Sequence, residues 1–134
     1  MRPRRRAYVA GEYRPVNGRR FVVARLSDSI LRLMAPPQGS ASIIIPTYRE
    51  APNIEPLVTR VFAATTQAGI EVELIIVDDD SQDGTEQIVE RLRERYPVRL
   101  VIRRGERGLS GAVLAGFREA RFDRFVVLDA DLQH

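Results

Sequence analysis

This sequence predicts an α/β fold: a mostly parallel sheet, Rossmann-like, with helices on both faces. Three observations carry that prediction. From Ser42 onward, short β-branched apolar runs alternate with stretches of helical period. The runs are apolar throughout instead of alternating with polar residues, which suits strands buried on both faces. Strands joined by helical crossovers run parallel, because each helix returns the chain to the same edge of the sheet.

The elements follow in order. Ser42–Pro46 (SIIIP) reads as the first strand. Ile54, Leu57, Val58, Val61 and Phe62 fall at i, i+3, i+4, i+7 and i+8, an amphipathic helix closed near Gly69. Val72–Val77 is the second strand. Asp83 and Glu86 have the spacing of a capping box, Ile88, Val89 and Leu92 continue the stripe, and Pro97 ends it. Val98–Ile102 is the third strand. Leu109, Ala112, Val113, Gly116, Phe117 and Ala120 make a third helical face, and Phe125–Leu128 a fourth strand. Upstream, Val23, Leu26, Ile30, Leu33 and Met34 lie at helical spacing, and Ala35-Pro36-Pro37-Gln38-Gly39-Ser40 reads as a linker. The expected organisation is an extension over residues 1–40 and a domain over 41–134.

Composition narrows the chemistry. There is no Cys, which excludes disulfides and thiol catalysis. The only His is His134, so a Ser-His-Asp triad and His-rich metal sites are nearly excluded. All 21 basic residues are Arg, which removes Schiff-base chemistry and a P-loop lysine. The net charge of +3 is divided: residues 1–40 hold nine Arg against two acids (+7), and residues 41–134 hold twelve Arg against sixteen acids (−4). The basicity thus belongs to one arm, and nucleic acid is not an expected partner. That arm would fit either an anionic membrane surface or a plain terminal tail, and the scarcity of aromatics favours the tail. No apolar run is long enough to span a bilayer and no signal-peptide pattern is present, so the expected location is cytoplasmic or peripheral at the cytoplasmic face of a membrane.

Ligands of such sheets sit at the carboxyl ends of the strands. Three strands here end in polar or acidic loops: Pro46-Thr-Tyr-Arg-Glu50, Asp78-Asp-Asp-Ser-Gln-Asp-Gly84, and Asp129-Ala-Asp131-Leu-Gln-His134. Crowded carboxylates repel unless a cation or a donor-rich ligand offsets them, so these loops point to a ligand site. In an extended Asp-x-Asp both carboxylates project to one side, as Mg²⁺ or Mn²⁺ shared with a substrate's phosphates requires. Gln133 continues the alternation and offers an amide oxygen. The spacing from Asp79 to Glu90 imitates an EF-hand loop, but a strand precedes it where an EF-hand needs a helix. A receiver-type phosphoacceptor pocket would need a Lys. Gly105, Gly108 and Gly111 open the third helix without forming G-x-G-x-x-G, and fit close packing as well as anion contact.

Taken together, SIIIPTYREAPNI, IIVDDDSQDGT, RRGERGLSGAVLAGFREA and VVLDADLQH resemble family 2 glycosyltransferases, and within them the dolichyl- or polyprenyl-phosphate mannosyltransferases. The resemblance runs from Ser42 to His134. It implies the GT-A fold and metal-dependent transfer of mannose, with inversion, from GDP-mannose to a dolichyl or polyprenyl phosphate. By motif it implies that Pro46, Tyr48 and Glu50 hold the nucleoside and that Val77 and Asp79 bracket base and ribose. Asp129, Ala130 and Asp131 would form the diphosphate region, with Asp131 catalytic and Asp129, Asp131 and Gln133 holding the metal. A different sugar, glucose or a modified arabinose, is the alternative within the class. A non-catalytic nucleotide-binding half acting through a partner is the alternative outside it. Arg49 stands where the family often has Asn, and Asp80 where many members have Gly or Asn. The family pattern continues past the last motif into an acceptor-binding half, so the expectation is the donor-binding part of a domain, with little activity alone.

Overall fold

The computed structural model describes residues 12–16, 19–24 and 39–130, with side chains from residue 39 onward. Among the described residues nine elements follow one another: β1 (Glu12–Val16), β2 (Arg19–Ala24), β3 (Ser40–Thr47), α1 (Ala51–Gln67), β4 (Glu71–Asp78), α2 (Thr85–Leu92), β5 (Val98–Ile102), α3 (Leu109–Glu119) and β6 (Arg124–Leu128). They build one sheet in the order β1-β2-β6-β3-β4-β5. Only the β1–β2 pair is antiparallel; the other pairs are parallel.

The order carries a topological switch. From β3 the chain moves outward to β4 and β5, then returns to place β6 on the other side of β3. The two crossovers therefore diverge at the carboxyl ends of β3 and β6, which is where a crevice opens in such sheets.

Strand parity divides the core. Ala41, Ile43, Ile45, Val72, Leu74, Ile76, Val126 and Leu128 face α1 and α2, where they meet Ile54, Leu57, Val58, Val61, Val89 and Leu92. Ile44, Ile75, Val77 and Phe125 face α3, meeting Ala112 and the half-buried Phe117. Each fully buried Ile or Leu is worth about 1.5–3 kcal/mol, so the two-sided apolar runs are what make the sheet central. Gly116 lets α3 lie close, since a Cβ there would stand 2.5 Å from Ile44 Cγ2.

Three expectations change. The helix expected over residues 21–34 is replaced at residues 21–24 by the end of β2, and residues 25–34 lie outside the described ones. Phe21, Val22 and Val23 pair with Phe125, Val126 and Val127, because the exposed edge of β6 supplies a ladder that local periodicity does not reveal. The capping box shifts. Gly84 (φ 95°) stands at the N-cap of α2, and Asp83 accepts from Thr85 N–H and Oγ1 instead of pairing with Glu86. Leu109, expected on the buried face of α3, is exposed at the helix's first position.

Candidate functional site

The loops after β3 and β4 are fastened to each other through Asp78. Its buried carboxylate accepts from Thr47 Oγ1 (2.7 Å), Ser81 Oγ (2.7 Å) and Ser81 N–H (2.8 Å). Ser81 Oγ in turn accepts from Arg49 N–H at 2.7 Å. An Asp bonding the backbone three residues on is a local turn device that also explains why the strand ends here. Three non-glycine residues of these loops, Arg49 (φ 55°), Asp80 (φ 53°) and Gln82 (φ 52°), are held in the left-handed region. Arg49 and Asp80 are the positions where the resemblance implies Asn, and Gly or Asn, respectively, and these are residues that adopt this conformation most readily.

Asp83 joins the two neighbouring helices. Oδ2 accepts from Ala51 N–H at 3.2 Å, capping α1, while Oδ1 serves Thr85 at the start of α2. Burial works against its charge, but these hydrogen bonds outweigh it and hold the carboxyl below its ordinary 3.8.

Asp79 points the other way. It is buried against the loop before α3, with Oδ2 accepting from Gly108 N–H at 3.1 Å and Oδ1 lying 3.2 Å from Arg103 Nη1. The glycine-rich stretch thus does contact an anion, and that anion is the protein's own carboxylate. Asp78, Asp79 and Asp83 are each met by protein donors. The carboxylates of this loop are therefore offset within the protein itself.

The predicted residues fall on the sheet as follows. Pro46 pairs with Val77 in the β3–β4 ladder, and Val77 belongs to the α3 face. Pro46 and Asp129 each lie two residues beyond the Ile44–Val127 pair, so parity gives them that face too. Pro46, Val77, Asp79 and Asp129 thereby share one face at one edge, spanning the switch point. Ala130 is buried toward α1 and α2 while Asp129 is exposed, which is the alternation expected of Asp-x-Asp. Asp131 and Gln133 lie outside the described residues. Tyr48 is half-buried, with the guanidinium of Arg107 4.4 Å and that of Arg49 5.1 Å from its ring centroid. Glu50 precedes α1, and its Oε2 accepts from Asn53 Nδ2 at 2.8 Å, so its visible task is to organise that helix start. Among the described residues no three carboxylates or histidines come close enough to hold a metal.

A groove of about 730 Å³ opens near the same edge, lined among others by Asp80, Gln82, Glu86, Ile102 and Arg104. It lies in front of α2 and contains none of the nine predicted residues. The α3 face, where Pro46, Val77, Asp79 and Asp129 gather, is the better candidate. Sequence reasoning named Asp78 only as part of an acidic loop and gave Arg103 and Arg107 no role. The signal for the arginines was the end of the third strand, Arg103-Arg104, a cationic pair on an otherwise acidic edge.

Comparison with known proteins decides the family. The sequence model described as glycosyl transferase family 2 matches residues 42–134. The chain belongs to family 2 of the glycosyl transferases. This family 2 chain is 51% identical over 100 residues to the dolichol-phosphate mannosyltransferase of Mycosarcoma maydis, covering 71% of the chain and 34% of that protein. It is 40% identical over 95 residues to the undecaprenyl-phosphate 4-deoxy-4-formamido-L-arabinose transferase of Pseudomonas fluorescens, covering 69% and 28%. Among solved structures it is similar to a mannosyltransferase from Pyrobaculum calidifontis in complex with GDP-Man and Mn2+, with a TM-score of 0.58, 32% identity and coverage of 68% and 27%. The chain thus spans about a third of the length of the curated relatives it matches. The α/β fold with a parallel sheet expected from the sequence is the fold observed. Among the described residues no helix is long and apolar enough to cross a membrane.

Proposed function

We propose that this chain is the nucleotide-sugar-binding part of a glycosyltransferase that moves mannose from GDP-mannose to a polyprenyl or dolichyl phosphate, with inversion and with Mg²⁺ or Mn²⁺. The observation that carries the reading is the convergence of Pro46, Val77, Asp79 and Asp129 on one face at the switch point. A strand-end edge with a fixed carboxylate acceptor suits a nucleoside, whose hydroxyls would meet Asp79, while Val77, fully buried two residues earlier, anchors the strand that carries it. The relative named a dolichol-phosphate mannosyltransferase and the structure holding GDP-Man and Mn2+ support the choice of mannose and of a divalent ion.

Asp129 is exposed at the strand end with its carboxylate outside the core, and the donors around it in sequence are hard oxygens, so the residues fit such an ion. Asp129, Asp131 and Gln133 would hold it. When bound, it supplies Lewis-acid stabilisation of the departing diphosphate. The acceptor phosphate is an anion at neutral pH and attacks without a general base. Attack by its oxygen on the anomeric carbon, with departure of GDP from the opposite side, is one displacement and inverts the configuration.

Calorimetric titration tests this. GDP with Mn²⁺ is expected to bind the chain, and Asp131→Ala is expected to weaken that binding at least tenfold while leaving the melting temperature unchanged. Metal-independent binding, equal in parent and variant, would overturn the proposed metal site. The formamido-arabinose transferase relative favours a second reading, in which another sugar is carried. Tighter binding of UDP than of GDP would select it.

A further inference from the structure

The loop of residues 103–108, between β5 and α3, contains none of the predicted site residues and yet encloses two of them. Arg103 is the first residue past β5, and its side chain is only 9% exposed. Nη1 lies 3.2 Å from Asp79 Oδ1 and donates to Gly108 O at 3.0 Å, while Gly108 N–H donates to Asp79 Oδ2. Arg103, Gly108 and Asp79 thus close a ring in which each fixes the next. Room for the guanidinium is made one helical turn on: a Cβ at Gly111 would stand 2.5 Å from Nη2. From the same loop, Arg107 covers the ring of Tyr48.

The ring leaves one acceptor unsatisfied. Asp79 is 8% exposed, and although Oδ1 is ion-paired it accepts no hydrogen bond. A buried carboxylate oxygen without a hydrogen bond is costly, unless a ligand supplies the donor. Held by a charge on one side and a backbone amide on the other, the Asp79 carboxylate is fixed in a single orientation, and a nucleoside hydroxyl or ring N–H is the kind of donor such a carboxylate suits.

We infer that Arg103 is a positioning residue for nucleoside recognition, orienting Asp79 for the ligand with Gly111 as its cradle. The inference rests on the reading of Asp79 as a nucleoside contact. If Arg103 served only to tie down its loop, its loss would lower stability and the affinity for every part of the donor alike.

The test uses the full 134-residue chain and two probes, GDP and inorganic diphosphate, each titrated calorimetrically with Mn²⁺ present, against Arg103→Met, Arg103→Lys and Gly111→Ala. Arg103→Met is expected to weaken GDP about tenfold, the worth of roughly one hydrogen bond to a charged group, and to leave diphosphate binding unchanged. Arg103→Lys keeps the charge without the planar fork and is expected to recover part of the loss. Gly111→Ala displaces the guanidinium without removing it and is expected to weaken GDP in the same sense, so the test survives if Arg103→Met does not fold. Equal GDP affinity in the parent and Arg103→Met overturns the inference, as does a parallel fall of GDP affinity, diphosphate affinity and melting temperature. A parent chain that binds neither probe, or binds GDP no more tightly than diphosphate, overturns the donor-site reading itself and this inference with it.

Discussion

Gln82 shows how much one backbone position in the site loops is asked to bear. Its φ of 52° lies in the left-handed region, which costs a residue with a Cβ about 1–2 kcal/mol. Its side chain returns only a long contact of 3.4 Å to Asp80. The conformation persists because Asp78 and Ser81 on one side and Asp83 and Thr85 on the other pin the chain at both ends. Gln82→Gly is therefore expected to raise stability by about 0.5–1 kcal/mol, after the added freedom of the unfolded chain is discounted. Gln82→Val, β-branched, is expected to lower it by at least as much. Urea unfolding checks the order Gly above Gln above Val, read as midpoints at constant slope. Arg49 (φ 55°) is less free to change, because its guanidinium also stacks on Tyr48. Relieving the backbone there removes a cation–π contact worth about 0.5–1 kcal/mol at an exposed site.

At the scale of elements, the helices and central strands were legible because burial imposes its period on the sequence. Ile43, Ile44 and Ile45 are all fully buried, two toward α1 and α2 and one toward α3, and a run of three isoleucines announces both faces at once. β2 was illegible for the opposite reason. Val22 and Val23 become strand only because β6 has an edge to offer, and nothing local distinguishes them from a helical stripe. The site divides in the same way. Strand-end acids are visible in sequence, but their partners, such as Thr47 for Asp78 and Arg103 for Asp79, are chosen by the fold. Gly116 is a further partner of this kind, read as one more residue on a helical face until Ile44 is seen beneath it. Gly116→Ala is expected to cost about 1–3 kcal/mol by forcing α3 off the sheet. Ile44→Ala removes both clashing carbons, Cγ2 and Cγ1, so the double variant is expected to lose less than the two single losses combined. Additive losses in denaturant midpoints would mean that α3 already stands clear of Ile44.

Across the whole molecule the two edges of the sheet use buried charge for different ends. At the carboxyl edge Asp79 keeps an acceptor unsatisfied, whereas at the amino edge Glu73 keeps none. Its carboxylate is almost wholly buried and accepts from Ser42 Oγ (2.7 Å) and Arg121 N–H, with ion pairs to Arg99 (3.1 Å) and Arg121 (3.3 Å). Arg99 reaches on to the backbone oxygen of Glu119, so β3, β4, β5 and the end of α3 meet at this one group. Burial alone would raise the Glu73 pKa, but the hydrogen bonds from Arg121 and Ser42 and the two guanidinium charges hold it below its ordinary 4.5. A carboxyl lowered on folding contributes stability that is complete above its unfolded pKa and is lost as pH falls through the folded value. Glu73→Gln is expected to cost about 2–3 kcal/mol at pH 7, since one uncharged acceptor replaces a buried ion. The deficit is expected to begin shrinking below about pH 4.5, where the unfolded parent takes up a proton, and to level off lower, once the folded carboxyl has followed. Denaturant titrations of both chains between pH 7 and pH 3 measure this, and a deficit that stays constant across the range would show that the ion pairs contribute nothing beyond the hydrogen bonds. Because Glu73 lies at the opposite edge from Pro46, Val77, Asp79 and Asp129, the same variant at pH 7, below its melting temperature, is expected to bind GDP as the parent does. Loss of GDP affinity in Glu73→Gln would mean that the two edges are coupled through the strands, and that stability and recognition in this fold cannot be varied separately.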